Sequence, residues 1–103
     1  MSYVDLKNKT ILVTGAAGFI GSNLVKRLFK DLKDVTVIGI DNMNDYYDVR
    51  LKAARLSELS VHPSFIFIKS SIADKDMVNK VFDQYRPQVV QLVMSGKLIL
   101  LIT

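Results

Sequence analysis

The segment Gly15-Ala16-Ala17-Gly18-Phe19-Ile20-Gly21 restricts the fold of this chain more than any other part of the sequence. Its three glycines are spaced three apart, a short apolar run ends just before it, and a helix-like apolar pattern follows it at once. Glycines at this spacing permit a tight turn, a close approach of the backbone to a ligand, and close packing of helix on strand. The order of strand, glycine turn and helix therefore predicts a phosphate-binding turn.

The pyrophosphate of a nucleotide is the ligand that such a turn suits, because the start of a helix offers unpaired N–H groups and a positive dipole end. Gly15, Gly18 and Gly21 form the turn, and the N–H groups of Phe19 and Ile20 face the pyrophosphate while their side chains pack into the core. No Lys-Ser/Thr pair follows the last glycine, so the segment is not a P-loop. A glycine turn without a ligand is the alternative interpretation.

Asp41 lies twenty residues after Gly21, at the end of the second apolar run. A carboxylate at that place can accept both ribose hydroxyls of an adenosine, and it repels a 2′-phosphate, which favours NAD over NADP. Asn42 and Asn44 add hydrogen bonds around the same ribose and phosphate, or serve only to form the turn. An ordinary loop aspartate is the alternative for Asp41.

Strand-like and helix-like segments alternate along the whole chain. The apolar runs predict strands at residues 10–14, 35–40, 65–68 and 88–93, and the helical spacing predicts three helices between them. Asp74 is expected to cap the third helix, and Pro87 to stop it. Strands that alternate with helices are parallel and covered on both faces, so we expect an α/β fold, a partial, doubly wound, Rossmann-type parallel sheet of about four strands and three helices.

Composition limits the classes of function. A chain of 103 residues with 50% hydrophobic and 23% charged residues predicts one globular domain. The sequence has no cysteine, and its one histidine, His62, precedes a proline in a predicted loop, so we expect no metal site. The net charge of +4 is modest, and a solvated helix face explains the basic residues Lys26, Arg27, Lys30 and Lys33 better than a nucleic-acid patch does. With no signal-like or membrane-spanning segment, we expect a cytoplasmic protein that binds neither nucleic acid nor a membrane.

The residues from Ile11 to Gly21 resemble the opening of the extended short-chain dehydrogenase/reductase family, and within it the NAD-dependent sugar-nucleotide epimerases and dehydratases. The segment Asp41-Asn42-Met43-Asn44-Asp45-Tyr46-Tyr47-Asp48-Val49-Arg50-Leu51-Lys52 is similar to the UDP-glucuronate 4-epimerase branch. The resemblance runs from about Lys9 to Val90 and corresponds to the first third of a complete family member. It implies NAD as cofactor, a UDP-sugar as substrate, and epimerisation at C4 through transient hydride transfer.

The sequence departs from the family pattern in three places. Ser70-Ser71-Ile72 stands where the family has Gly-Asp-Ile or Gly-Asp-Leu, so Ser71 replaces the aspartate that accepts the adenine amine, while the N–H of Ile72 remains available. The likeness ends near Val90, which leaves residues 91–103 atypical of the family. The catalytic Ser/Thr and Tyr-x-x-x-Lys segment of the family lie beyond this chain, and Tyr3-Val4-Asp5-Leu6-Lys7 matches that spacing by chance. We therefore expect no catalytic residue in this chain and a truncated domain over residues 1–103.

Leu98-Ile99-Leu100-Leu101-Ile102 is β-prone, uncharged and free of proline. It is expected to pair back as a hairpin strand or to add a fifth strand to the sheet. A sheet edge exposed there predicts self-association through this tail or the fourth strand. Three functions follow from the sequence: the NAD-binding portion of an epimerase that is inactive alone, a nucleotide-binding module without chemistry, and a self-associating truncation product that binds nothing tightly.

Overall fold

The computed structural model describes residues 9–32, 34–43, 49–94 and 97–102, and the following account concerns these residues. Five strands and three helices alternate until the last two strands. In chain order they are β1 (Thr10–Thr14), α1 (Phe19–Asp31), β2 (Thr36–Asp41), α2 (Val49–Leu59), β3 (Phe65–Lys69), α3 (Lys75–Tyr85), β4 (Val89–Met94) and β5 (Lys97–Ile102). The predicted α/β fold is confirmed, with four parallel strands and three helices.

The strands form one sheet in the order β3-β2-β1-β4-β5. The pairs β1–β2, β2–β3 and β1–β4 are parallel, with Leu12 of β1 opposite Ile38 of β2 and Val90 of β4. The chain thus winds outward from β1 to β3 and returns across β1 to β4. Open α/β sheets bind their ligands at the carboxyl ends of the strands near such a reversal, which here lies between β1 and β4.

β5 pairs with β4 in antiparallel register, from Met94 opposite Lys97 to Val89 opposite Ile102. Both expectations for the final apolar run are therefore met, because β5 is at once the second strand of a hairpin and the fifth strand of the sheet. Within the described sheet, β5 and β3 are the two edge strands. The pairing of a fifth strand without a helical crossover makes the sheet mixed rather than purely parallel.

Side chains alternate between two faces of the sheet and build two core layers. On one face Ile11 and Val13 of β1 pack with Val25 of α1 and Leu59 of α2, all at most 1% exposed. On the other face Leu12, Ile38 and Ile40 pack with Val81 of α3. Three partly buried side chains of α3 add contacts to this layer: Met77, Phe82 and Tyr85. Helices on both faces explain why the strands read as continuous apolar runs, since each strand is covered twice.

The third helix begins where the sequence predicts. The Asp74 side chain accepts a hydrogen bond from the Met77 N–H at 3.1 Å, which satisfies one of the free donors of the first turn. The helix ends at Tyr85, and Arg86 adopts a left-handed conformation (φ 47°) directly before Pro87. None of the described helices is long and apolar enough to span a bilayer.

Candidate functional site

The turn between β1 and α1 has the geometry that its glycines predict. Gly15 has a φ of 64°, in the left-handed region that residues with a side chain rarely adopt. The N–H of Gly18 donates to the carbonyl oxygen of Gly15 at 3.0 Å and closes the turn. A Cβ atom placed on Gly21 would lie 2.0 Å from the same carbonyl oxygen, so α1 packs against the turn as closely as its backbone allows.

The N-terminus of α1 carries no capping side chain. Gly18 occupies the N-cap position without a side-chain cap, and the first turn carries no acidic residue. The N–H of Ser22 donates to the carbonyl oxygen of Gly18 at 2.9 Å, so the N–H groups of Phe19 and Ile20, which precede it, lie before the first intrahelical bond. These donors, at the positive end of the helix, favour an anion. Their position is where the sequence predicts pyrophosphate contacts.

The expectation that both side chains pack in the core is wrong for Phe19, which is 69% exposed, whereas Ile20 is half-buried. The reason is that side chains of a helix lean toward its N-terminus, so the ring of its first residue projects past the end of the core. The guanidinium of Arg55, from α2, lies 6.0 Å from the Phe19 ring centroid and donates to the Ala17 carbonyl oxygen at 3.3 Å. Arg55 thereby holds the turn from outside.

Asp41 lies at the carboxyl end of β2, as predicted, and is 5% exposed. Its Oδ2 accepts the N–H of Ala17 at 3.1 Å, and its Oδ1 accepts the N–H of Met43 at 2.8 Å and the ammonium of Lys52 at 2.9 Å. A carboxylate has about four acceptor positions, and donors from the described part of the chain occupy three. The sequence predicts that Asp41 accepts hydrogen bonds from both ribose hydroxyls. Its carboxylate has about one acceptor position left for them.

Lys52 is the site residue that sequence reasoning missed. It lies on α2, eleven residues after Asp41, and its side chain is only 12% exposed while that of Asp41 is 4% exposed. A carboxylate that is buried at the end of a strand needs a charged partner. This requirement is the one signal from which a nearby lysine could have been predicted. The pair places a positive charge at the predicted ribose position, where the sequence alone indicates only a negative one.

The two asparagines differ in what the structure says of them. Asn42 follows β2 directly, is exposed and lines the same cleft as Asp41. Asn44 lies outside the described residues. Only Asn42 is therefore placed beside the other candidate residues.

Ser71 and Ile72 lie past the carboxyl end of β3, next to Asp41. The N–H of Ser70 donates to the backbone carbonyl oxygen of Asp41 at 3.1 Å, which fixes the end of β3 beside the end of β2. The Oγ of Ser71 accepts the N–H of Ala73 at 3.1 Å, and Ile72 is 43% exposed. The structure thus brings the predicted adenine-side residues to the same edge of the sheet as Asp41.

A cleft of about 190 Å³ joins these groups along the carboxyl ends of β1, β2 and β3. It is lined by Thr14, Gly15, Ile40, Asp41, Asn42, Lys52, Ser70, Ser71 and Ile72. The glycine turn forms one end and the residues after β3 form the other, with the Asp41–Lys52 ion pair between them. Among the described residues, no group of three or more His, Asp or Glu side chains could hold a metal ion.

The sheet order, the glycine turn and the acidic residue at the end of β2 define a Rossmann-type α/β domain. The sequence profile of the family described as GDP-mannose 4,6 dehydratase matches residues 12–92. The chain therefore belongs to the GDP-mannose 4,6 dehydratase family. This finding confirms the predicted resemblance to the NAD-dependent sugar-nucleotide epimerases and dehydratases.

Individual relatives point the same way. A UDP-glucuronate 4-epimerase of Thermodesulfobacterium geofontis is 43% identical over 74 residues, 72% of this chain and 22% of that protein. The crystal structure of a Bacillus cereus UDP-glucuronic acid 4-epimerase with UDP-glucuronic acid and NAD superposes with a TM-score of 0.70 at 36% identity, over 82% of this chain and 26% of that one. A Bacillus anthracis dTDP-glucose 4,6-dehydratase in complex with NAD gives a TM-score of 0.73 at 27% identity, over 84% and 26%. The chain thus spans about a quarter of the length of these proteins.

Proposed function

We propose that this chain is the NAD-binding portion of a sugar-nucleotide epimerase or dehydratase and that it holds the ADP-ribose half of the cofactor. The observation that carries the proposal is the continuous cleft from Gly15 of the glycine turn, past Asp41, to the residues after β3. Both solved neighbours described above contain NAD. The donor-rich helix start, the carboxylate one strand away and the small residues of the turn fit a dinucleotide.

Each candidate residue has a physical role in this proposal. The N–H groups of Phe19 and Ile20 bind the pyrophosphate, and Gly15, Gly18 and Gly21 allow it to approach the backbone. Asp41 accepts a ribose hydroxyl at its remaining acceptor position. The ammonium of Lys52 holds that carboxylate in place.

The polar residues beside and beyond the ribose complete the binding site. Asn42 and Asn44 add hydrogen bonds around the ribose and phosphate. Ser71 and the N–H of Ile72 contact the base. When bound, NAD supplies a hydride acceptor for oxidation of a sugar carbon; what this chain contributes is binding and orientation.

We further propose that the chain alone does not turn over a UDP-sugar. Support comes from the sequence, in which the Tyr-x-x-x-Lys spacing of the family's catalytic pair occurs only at Tyr3 and Lys7, before β1. A catalytic base and its lysine have to reach the nicotinamide ring. In the proposed binding mode, this ring lies at the other end of the cofactor from the adenosine. Measurable epimerisation of UDP-glucuronate by the purified chain would contradict this part of the proposal.

Calorimetric titration of the 103-residue chain with NAD, ADP-ribose and NADP tests the binding function. We expect saturable binding of NAD and ADP-ribose with similar affinities, because the cleft residues contact the shared ADP-ribose half. NADP should bind more weakly, since the Asp41 carboxylate opposes a 2′-phosphate. Asp74→Ala, which removes a carboxylate at the start of α3 outside the cleft, is the matched control and should bind as the wild type does. Absence of binding at millimolar ligand would refute the proposal and favour the non-binding alternative.

Self-association is a separate proposal, supported by the position of β5 at one edge of the described sheet and by its uncharged sequence from Leu98 to Ile102. An edge strand offers a row of unpaired backbone groups to a second copy. Light scattering across a range of concentrations should show a dimer or a larger species. Leu100→Lys, which places a charge on the edge strand, should shift the chain toward the monomer, and a wild-type chain that stays monomeric at high concentration would disprove the proposal.

A further inference from the structure

The strand β4 is paired unequally on its two sides. On one side β1 pairs with only the first three of its residues, 89–91. On the other side β5 pairs with all six residues of β4, and all six residues of β5 take part. Within the sheet as described, the second half of β4, residues 92–94, is therefore paired through β5 alone.

The position of β5 is the one at which a doubly wound sheet ordinarily continues. The classic strand order places a further parallel strand next to β4, and a parallel neighbour needs a crossover of a dozen or more residues. In this chain the strand that follows β4 is antiparallel to it, from Lys97 opposite Met94 to Ile102 opposite Val89. The family profile ends at residue 92, so the whole of β5 lies outside the part of the chain that matches the family.

From these two observations we propose that β5 is an intramolecular closure of the β4 edge. It fills the place of the next parallel strand and prevents an extended segment of another molecule from pairing with β4. An open β4 edge would offer a row of backbone donors and acceptors to such a segment. The segment that fits is antiparallel, uncharged and β-prone, as residues 98–102 are.

The closure separates the two edges that a second copy could use. The self-association proposed above then takes place at the outer edge of β5, because the β4 edge is filled. The β4 edge becomes available only when β5 is released. Closure of the β4 edge does not require a nucleotide, so a failure to bind NAD leaves it standing, and an open β4 edge leaves the NAD proposal standing.

Two proline variants of the full chain, Ile99→Pro and Leu100→Pro, test the closure. Adjacent residues of an antiparallel strand direct their N–H groups to opposite sides. One variant therefore removes a hydrogen bond to β4, and the other removes only a donor on the outer edge, so each is the matched control for the other. In the first, the amides of residues 92–94 that face β5 should exchange with solvent at least about tenfold faster than in the wild type. In the second, their exchange should stay as it is in the wild type.

A peptide with the sequence of residues 97–103, extended by lysines for solubility, tests whether the released edge accepts a strand. It should bind saturably to the variant in which β5 is released and restore slow exchange of the same amides. The wild-type chain should not bind it, because its own β5 occupies the edge. Slow exchange of the β1 amides shows that a variant is folded.

Each outcome decides the matter. Fast exchange of the amides that face β5 in the wild type, unchanged exchange in both proline variants, or a folded, released variant that does not bind the peptide would overturn the closure. If the released variant unfolds as a whole, the wild type decides. Protected amides without peptide binding support the closure, and peptide binding by the wild type overturns it.

Discussion

Gly21→Ala tests the close packing of α1 against the glycine turn. The added Cβ would lie 2.0 Å from the carbonyl oxygen and 2.7 Å from the carbonyl carbon of Gly15, whereas ordinary contact begins at 3.4 Å. Both atoms belong to the backbone, so the turn and the helix have to separate by about 1.4 Å. Overpacking of this kind costs roughly 1–3 kcal/mol, and the better helix propensity of alanine returns at most about 1 kcal/mol.

We therefore expect Gly21→Ala to lower the free energy of unfolding by about 1–2 kcal/mol, and to abolish dinucleotide binding because the N–H groups at the start of α1 move. Urea unfolding followed by circular dichroism measures the first effect, and calorimetric titration with NAD the second.

Gly18→Ala is the matched control, since it makes the same change three residues earlier in the same turn. Its Cβ would lie 3.3 Å from the Gly15 carbonyl oxygen, and its backbone (φ −75°, ψ 173°) suits any residue, so its cost should stay below about 1 kcal/mol. A stability loss in Gly21→Ala no larger than that in Gly18→Ala would refute the packing argument.

Two further variants test other contacts of the site, and a third removes a helix cap outside it. Lys52→Met leaves the buried Asp41 carboxylate without its ammonium partner, so urea unfolding should show that the free energy of unfolding falls by about 1–3 kcal/mol. The affinity for NADP should fall more than the affinity for NAD. An unchanged free energy of unfolding would contradict a stabilising ion pair. Asp74→Ala removes the cap of α3 and should cost about 1 kcal/mol with NAD affinity unchanged, and an altered affinity would place Asp74 at the site after all. Arg55→Ala releases the turn beside Phe19 and should cost at most about 1 kcal/mol while weakening NAD binding severalfold, so an unaffected Kd would remove Arg55 from any positioning role.

Most of the fold could be predicted because the local patterns and the tertiary arrangement agree. β1 occupies the predicted residues Thr10–Thr14, and β2, β3 and β4 shift by only a residue or so. The apolar runs are short and β-branched, and segments with helical spacing lie between them. Parallel pairing of the strands is the arrangement in which these helices cover both faces of the sheet. The antiparallel β5 matches one of the two predicted arrangements of the final apolar run, a hairpin strand, because the sequence Ser95-Gly96-Lys97 before that run can turn the chain.

The details of the site were less predictable, because they depend on how elements distant in sequence meet. Helical spacing shows that Phe19 lies on the apolar stripe of α1, but it does not show that the core ends before the first turn. The contact between Lys52 and Asp41 depends on where α2 crosses the end of β2, and the weak apolar pattern of α2 does not fix that position. Sequence reasoning thus located the acid correctly and missed its partner.

The bonds of Asp41 show that the candidate ribose contact is also a structural junction. Its carboxylate joins the turn after β1, through Ala17, to α2, through Lys52, while its backbone carbonyl oxygen receives the N–H of Ser70 after β3. A residue bonded to three segments at the edge of the cleft holds that edge in shape before any ligand arrives, which lowers the ordering cost of binding. The same bonds leave few acceptor positions for a ribose, so we expect the NAD affinity of the proposed site to depend more on the preformed turn and the α1 amides than on the Asp41 carboxylate.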